Sequence, residues 1–258
     1  MKLYLIIIFL LSVNLSEAQK KLILEPHILL QYDKGYLISK TGGDNSFKSP
    51  VPSLSLYIGA FVEYYYKKNK SILLSFDGTA GQLSFRTTLN GATCKNVHTH
   101  QIEMNLSQIS VGFSQYLQNK NILRRLLPNS NISLFPKFSF GFGLSKNKPQ
   151  SEYDQYFNKT YVSGCSVDTF KYSYTTKVDS KFNLSLWIGY GIKILHKKKE
   201  VLSIGIYYNK GFMNQFKTEL NYKLNNNAYS AIIGSRSSNI NIKIGVPITL
   251  RRWEPSKF

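Results

Sequence analysis

Acidic residues are scarce in this sequence: 14 Asp and Glu stand against 33 Lys and Arg, for a formal net charge of +19. Cysteine is scarce too, because Cys94 and Cys165 leave room for a single disulfide. Beyond the N-terminus there is no unbroken apolar run as long as a membrane-spanning helix requires. That last absence excludes a membrane-spanning helix beyond the N-terminus. The 258 residues suffice for one large β-domain or two small ones.

The first 18 residues have the pattern of an export signal. Lys2 supplies the positive start, the stretch 3–13 is apolar, and Ser16-Glu17-Ala18 forms a small-x-small cleavage site. The apolar stretch of 11 residues is too short to cross a bilayer as a helix, although a retained anchor is the alternative. We therefore expect a signal peptide at 1–18 and one exported domain at 19–258.

Strict alternation of apolar and polar residues is the main pattern of the remaining chain. In Asn239–Leu250 every second residue is Ile, Val or Leu, which indicates a strand with one apolar face. Changes of phase inside the third and fourth alternating segments predict β-bulges. The eight segments are 22–32, 54–66, 72–85, 102–113, 132–144, 182–194, 202–208 and 239–250.

Segment length and the composition of the polar face indicate whether the apolar face points into the barrel or out toward lipid. Most segments have about 11 to 15 residues, whereas ordinary strands have about 5–6 and tilted membrane strands need about 9–11. The polar face is rich in Gly, Ser and Asn, which suits a crowded barrel interior better than a surface in water. We predict an all-β fold, an eight-stranded antiparallel up-and-down transmembrane β-barrel. A soluble barrel with the apolar face inward is the alternative.

Six charged residues fall on the predicted inner face. An eight-stranded barrel is just wide enough inside for side chains, so opposite charges there are expected to pair and plug the lumen. A narrow pore is the alternative. The expected cations are Lys137, Lys193 and Lys243, and the expected acids are Glu25, Glu63 and Asp77.

Short and long connections alternate along the chain, as they do in barrels with short periplasmic turns and long external loops. Cys94 falls in the second long connection and Cys165 in the third, both on the predicted external side. An even cysteine count in an exported protein favours a disulfide between them, with two free thiols as the alternative.

The short connections are rich in lysine and arginine. We interpret this rim first as solvated charge. The alternative is contact with anionic lipid head groups or with an acidic periplasmic protein, in addition to the outer-membrane lipids that we expect as the main partner. We expect no nucleic-acid partner, because the chain is predicted to be exported and contains no recognisable nucleic-acid-binding motif. The cations of these connections are Lys67, Lys68, Lys70, Lys120, Arg124, Arg125, Lys197, Lys198 and Lys199.

The signal ending in Ser16-Glu17-Ala18-Gln19, the eight long strands and the closing segment "IKIGVPITL" resemble one family of barrels. It comprises the small outer-membrane β-barrel proteins of Bacteroidetes-type bacteria, which include PorT-like proteins. The resemblance implies a location in the outer membrane. It also implies, for PorT-like members, an accessory role in a secretion system.

Residues able to carry catalysis or a metal are few. Cys94, His98 and His100 form a short cluster without an obvious fourth ligand, so we expect no metal. The loop residues Asp154, Asp168, Asp179, Ser163 and Ser166 show no spacing that marks a catalytic triad. We expect neither an enzyme nor a cofactor. The hypothesis is a structural or binding protein that acts through its external loops, with a secretion accessory or a narrow pore as alternatives.

Overall fold

The structure is a computed structural model that describes residues 20–33, 35–41, 47–48, 52–90, 95–117, 132–147, 153–163, 166–197, 199–224, 227–236 and 238–253. The predicted signal peptide, Cys94 and Cys165 lie outside these residues. Among the described residues, no helix has the length and apolar character needed to cross a membrane.

Fifteen strands make up the described chain, numbered here in chain order. They are β1 Lys20–Asp33, β2 Tyr36–Thr41, β3 Phe47–Lys48, β4 Ser53–Lys67, β5 Lys70–Asn90, β6 Lys95–Tyr116, β7 Ile132–Asn147, β8 Tyr153–Ser163, β9 Ser166–Val178, β10 Phe182–His196, β11 Lys199–Gly211, β12 Phe216–Leu224, β13 Asn227–Ser235, β14 Asn239–Gly245 and β15 Ile248–Trp253.

Eight of these segments close into one antiparallel barrel. The neighbours run β1, β4, β5, β6, β7, β10, β11 and β14, and β14 pairs back to β1, which completes the ring. The last strand of the barrel is interrupted at Val246–Pro247 and continues as β15, which also pairs with β1. The predicted fold class is therefore confirmed: eight strands, each antiparallel to its neighbours, in up-and-down order.

The apolar face of every barrel strand points outward. In β14 the isoleucines are exposed, while Asn239, Asn241, Lys243 and Gly245 are buried. This direction excludes the soluble alternative, which needs its apolar side chains inside. One exposed apolar residue from each strand in ring order illustrates the pattern: Ile28, Ile58, Phe76, Val111, Phe140, Ile188, Ile206 and Ile242.

The apolar outer face has the height of a bilayer core. The outward positions of β7 are all apolar from Leu134 to Leu144, and the next outward position is the exposed Lys146. A strand of that length at ~3.3 Å per residue, tilted by ~40°, covers about 25 Å. Transmembrane barrels carry an apolar band of about 25 Å, so the outer surface matches the hydrocarbon thickness.

The two ends of the barrel differ in their connections. At the turn end, β4 joins β5 through Lys68–Asn69, and β10 joins β11 through a tight turn in which Lys197 has a φ of 48°. The lysines Lys67, Lys68, Lys197 and Lys199 are exposed there. Their contact with anionic head groups stays a prediction.

A second sheet of five strands stands at the opposite, loop end. It has the order β2-β13-β12-β9-β8 and is built from connections that the sequence pattern predicts only as long loops. Its buried face has an apolar core in which no side chain exceeds 2% exposure: Phe216, Leu220, Tyr222, Ala231 and Ile233. The long connections are therefore structured, with their own hydrophobic contacts.

The predicted bulges in the third and fourth segments are wrong. β5 and β6 pair residue for residue from Lys70–Gln115 to Asn90–Lys95 without a shift of register. The register shifts lie elsewhere and mostly near the turn end, between Tyr65 and Lys67 and between Ile194 and Leu195. The β5–β6 hairpin is long and extends beyond the barrel. The change of phase in its sequence therefore has no counterpart in the strand pairing.

Candidate functional site: the charged interior of the barrel

All six charged residues on the inner face are buried, with exposures between 1% and 7%. Because each strand places alternate residues inside, the eight strands bring these side chains into a narrow space from different parts of the chain. They divide into two clusters, one near the turn end and one at mid-height. The turn-end cluster contains Glu25, Glu63, Lys137 and Lys193, and the mid-height cluster contains Asp77 and Lys243.

Lys193 is the centre of the turn-end cluster. Its Nζ lies 2.6 Å from Glu63 Oε2 and 3.2 Å from Glu200 Oε2, and it approaches Glu25 Oε2 to 3.8 Å. Lys137 Nζ stands 3.8 Å from the same Glu63 oxygen. One ammonium group therefore holds three carboxylates that come from β1, β4 and β11.

The turn-end cluster is balanced in charge. Lys21 Nζ binds Glu200 Oε1 at 2.7 Å, which adds a third cation to three carboxylates. Buried ions are tolerated when their charges are compensated and their remaining hydrogen-bonding positions are filled. The turn-end network is defined here as Lys21, Lys137, Lys193, Glu25, Glu63 and Glu200.

Hydroxyl groups donate to the carboxylates of this network at several further positions, although Glu25 Oε2 has no hydrogen-bond partner in the described part of the chain. Glu63 Oε1 accepts hydrogen bonds from Ser71 Oγ at 2.6 Å and from Tyr116 OH at 2.8 Å. Tyr65 OH donates to Tyr116 OH at 2.6 Å and accepts from Lys193 Nζ at 3.0 Å. Ser203 Oγ donates to Glu25 Oε1. Such a connected arrangement fixes the position of each side chain at this level of the barrel.

Glu200 was missed by alternation, and the reason is local. Between Ile194 and Leu195 the register shifts, so that Leu195 faces Glu200 while Ile194 faces Leu202. The extra residue, Val201, is exposed, and Glu200 turns toward the interior as a result. A period-two pattern counted along β11 places Glu200 on the outer face with Leu202 and Ile204, so only the pairing partner could have revealed its role.

The mid-height cluster joins Lys243, Asp77 and His27. Lys243 Nζ binds Asp77 Oδ2 at 2.8 Å, His27 Nε2 lies 2.8 Å from Asp77 Oδ1, and Ser75 Oγ donates to Oδ2 at 2.7 Å. The Lys243 ammonium also lies 4.4 Å from the centre of the Phe61 ring. Electrostatic attraction to the ring face adds to the ion pair.

Aromatic rings cross the lumen beside this cluster. Phe61, Trp187 and Tyr207 form a buried cluster with Leu73, and the ring centres of Trp187 and Tyr207 are 6.0 Å apart. Several strand positions beside these rings must be glycine for the rings to fit. A Cβ at Gly141 would lie 2.7 Å from the Trp187 ring, and one at Gly189 would lie 2.1 Å from the Tyr207 ring. The alternating glycines of the inner face therefore make room for aromatic side chains.

The outer sheet carries its charges at the surface. Lys217 Nζ binds Asp179 Oδ2 at 2.9 Å, and both side chains are partly exposed. The hydrogen bond from Lys217 to this carboxylate raises the pKa of the lysine. Asp179, one of the loop acids considered for catalysis, is thus engaged in an exposed ion pair, which contributes little to stability.

The other residues considered for metal binding or catalysis are only partly described. His98 and His100 lie in β6, Asp154 and Ser163 in β8, and Ser166 and Asp168 in β9, and the side chains of these six residues lie outside the described part of the chain. Within the described ranges there is no group of three or more His, Cys, Asp or Glu side chains arranged to hold a metal ion.

A closed antiparallel barrel with apolar residues outside and a charge-balanced polar interior belongs to the class of transmembrane β-barrels.

No family model matches the chain, and no curated protein matches it. A solved structure with a similar course of the chain is the outer membrane protein OprG from Pseudomonas aeruginosa. It has 9% sequence identity and a TM-score of 0.43, over 93% of this chain and 98% of that one. The assignment of the fold depends on the strand pairing. Membership of the Bacteroidetes-type group stays a prediction.

Proposed function

We propose that the protein is an integral barrel of a bacterial outer membrane that does not conduct and that acts as a structural or binding protein through its loop end. Its location is supported by the outward apolar face on all eight strands. A closed barrel satisfies all backbone hydrogen bonds between its strands, which is the condition for crossing a bilayer with strands. The closed interior is supported by the turn-end network.

The turn-end network is the single observation that carries the proposal of a closed lumen. Lys193, Glu63 and Glu25 come from three different strands and meet inside the barrel. Tyr65 and Tyr116 stack beside them with ring centres 5.5 Å apart. In an eight-stranded barrel, side chains of this size leave no continuous water path. Binding is therefore assigned to the loop end, where the five-stranded sheet offers a structured surface beyond the barrel.

Single-channel recording in planar bilayers tests the closed lumen. We expect no steady conductance from the purified full chain, because the network and the aromatic rings obstruct the axis at two levels. The matched comparison is a Glu63→Ala, Lys193→Ala double variant, which removes the centre of the network and is expected to show brief small openings. Each sample is first shown to be folded by its heat-modifiable mobility in gels. Large steady currents from the unaltered protein would contradict the proposal.

A further inference from the structure

Three exposed lysines stand at the loop-end limit of the apolar outer face. On β7 the apolar outward positions end at Leu144 and Lys146 follows, and on β11 they are interrupted after Tyr208 by Lys210. Lys181 is exposed immediately before β10. Because β7, β10 and β11 are consecutive in the ring, these three cations lie on one side of the barrel. The loop-end lysine site is defined here as Lys146, Lys181 and Lys210.

Four of the other five barrel strands carry no charge at the corresponding outward position. These positions, beside or within β4, β5, β6 and β14, are Pro52, Gly78, Ser107 and Ser238. The corresponding residue of β1, Lys34, lies outside the described residues. The positive charge described at this level is therefore concentrated on three adjacent strands, which solubility alone does not require.

The loop-end lysine site is not neutralised by acids of the described part of the chain. No acidic side chain described there pairs with any of the three ammonium groups. Asp179, the acid nearest to Lys181 along the chain, is held by Lys217 at 2.9 Å. In contrast to the turn-end network, whose cations are matched by carboxylates, this site offers uncompensated positive charge to a ligand.

The three lysines are spread over two strand spacings. Lys146 lies opposite Phe182. Lys210 lies opposite Leu186, which is four residues further along β10. With strands ~4.8 Å apart and a rise of ~3.3 Å per residue, the Cα atoms of Lys146 and Lys210 are about 16 Å apart. Lys181 is close to Lys146 on the neighbouring strand. A ligand that contacts all three lysines therefore needs two separated anionic groups.

The surface on the bilayer side of the lysines is apolar. Five outward residues of β7, β10 and β11 are between 37% and 58% exposed there: Phe142, Leu144, Leu184, Leu186 and Ile206. Cations that border such a surface suit a molecule with an anionic head and apolar chains. A lipid combines both properties, whereas a soluble anion would leave the apolar surface unused.

We propose that the loop-end lysine site binds a lipid whose sugar head group carries two phosphates, which is the chemistry of lipid A. Lys146 and Lys181 donate to one phosphate and Lys210 donates to the other, while the acyl chains pack on the apolar residues of the same three strands. Barrels of this class have their short turns on the periplasmic side, so the loop end meets the outer leaflet. This inference rests on the membrane location proposed above and adds a specific lipid partner.

Native mass spectrometry of the full chain in detergent micelles measures this binding. The probes are diphosphoryl lipid A and, as a lipid with one phosphate, phosphatidylglycerol. We expect lipid A to bind the original protein at about tenfold lower concentration than phosphatidylglycerol, because its second phosphate reaches further lysines. A variant with Lys146→Gln, Lys181→Gln and Lys210→Gln should bind lipid A about tenfold more weakly or worse, since each lysine near an anionic head group contributes about fivefold.

A matched control removes the same charge at the turn end. Lys67→Gln, Lys68→Gln and Lys199→Gln replace three exposed lysines there and should leave lipid A binding unchanged. Heat-modifiable mobility verifies folding, and flotation with phosphatidylcholine vesicles verifies insertion. An original protein that does not float would contradict the membrane location itself. If the protein floats but binds the two lipids equally, or if both triple variants bind lipid A equally, the lysine site alone is overturned.

Discussion

Replacing Lys193 by methionine is expected to lower the free energy of unfolding by about 3–5 kcal/mol, the range for removing one partner of a buried ion pair. Lys193 Nζ contacts carboxylates on three strands, so its loss leaves Glu63, Glu200 and Glu25 short of one positive charge. Methionine has a similar length and fills the space, so the loss is due to charge and hydrogen bonding. The measurement is urea unfolding in phospholipid vesicles, followed by heat-modifiable mobility.

Two further variants separate charge from packing at this position. Lys217→Met removes a lysine from the exposed pair with Asp179 and should lower the stability far less than Lys193→Met does, because solvent screens exposed pairs. Lys193→Met combined with Glu63→Leu removes both members of the closest pair, and we expect it to recover part of the stability lost in the single variant. A Lys193→Met protein as stable as Lys217→Met would show that the turn-end network does not hold the interior together.

An arginine on the apolar outer face is the second substitution with a large expected effect. Ile206 lies near the middle of β11, is 57% exposed, and pairs with Tyr190 on one side and Ile242 on the other. If this face contacts acyl chains, Ile206→Arg should lower the free energy of unfolding in vesicles by about 2–4 kcal/mol. On a face in water, the same substitution usually changes stability by only ~0.5 kcal/mol.

The control for Ile206→Arg is Asn221→Arg, at an exposed position of the outer sheet. We expect the free energy of unfolding of this control to lie within about 0.5 kcal/mol of that of the original protein. If the two arginine variants were equally stable in vesicles, the outer face of β11 would not lie against lipid.

The barrel itself could be predicted because alternation is a local property of each strand. A residue such as Lys243 or Ile242 is assigned to a face by counting along its own strand, and the structure buries the first and exposes the second. The same counting placed Glu63 and Lys193 inside. It could not place them 2.6 Å apart, because that distance depends on the stagger between β4 and β10, which are not neighbours in the ring.

The outer sheet and the role of Glu200 escaped prediction for a related reason. In β12 the buried residues Phe216, Leu220 and Tyr222 are separated by polar ones such as Thr218, so the apolar alternation is interrupted. Glu200 depends on a register shift that only the partner strand defines. Both features arise from contacts between distant parts of the chain, and a single strand carries little sign of them.

Quenching of tryptophan fluorescence by lipids with brominated acyl chains tests the orientation of the barrel most directly. In a Trp253→Phe background, Trp187 reports on the interior, where its exposure is 5%. A second protein keeps Trp253→Phe and also carries Trp187→Phe and Phe140→Trp. Its single tryptophan therefore lies on the outer face of β7, where Phe140 is 46% exposed. We expect strong quenching of the tryptophan at position 140 and little quenching of Trp187. Strong quenching of Trp187 with an unquenched tryptophan at position 140 would contradict an apolar face turned toward lipid.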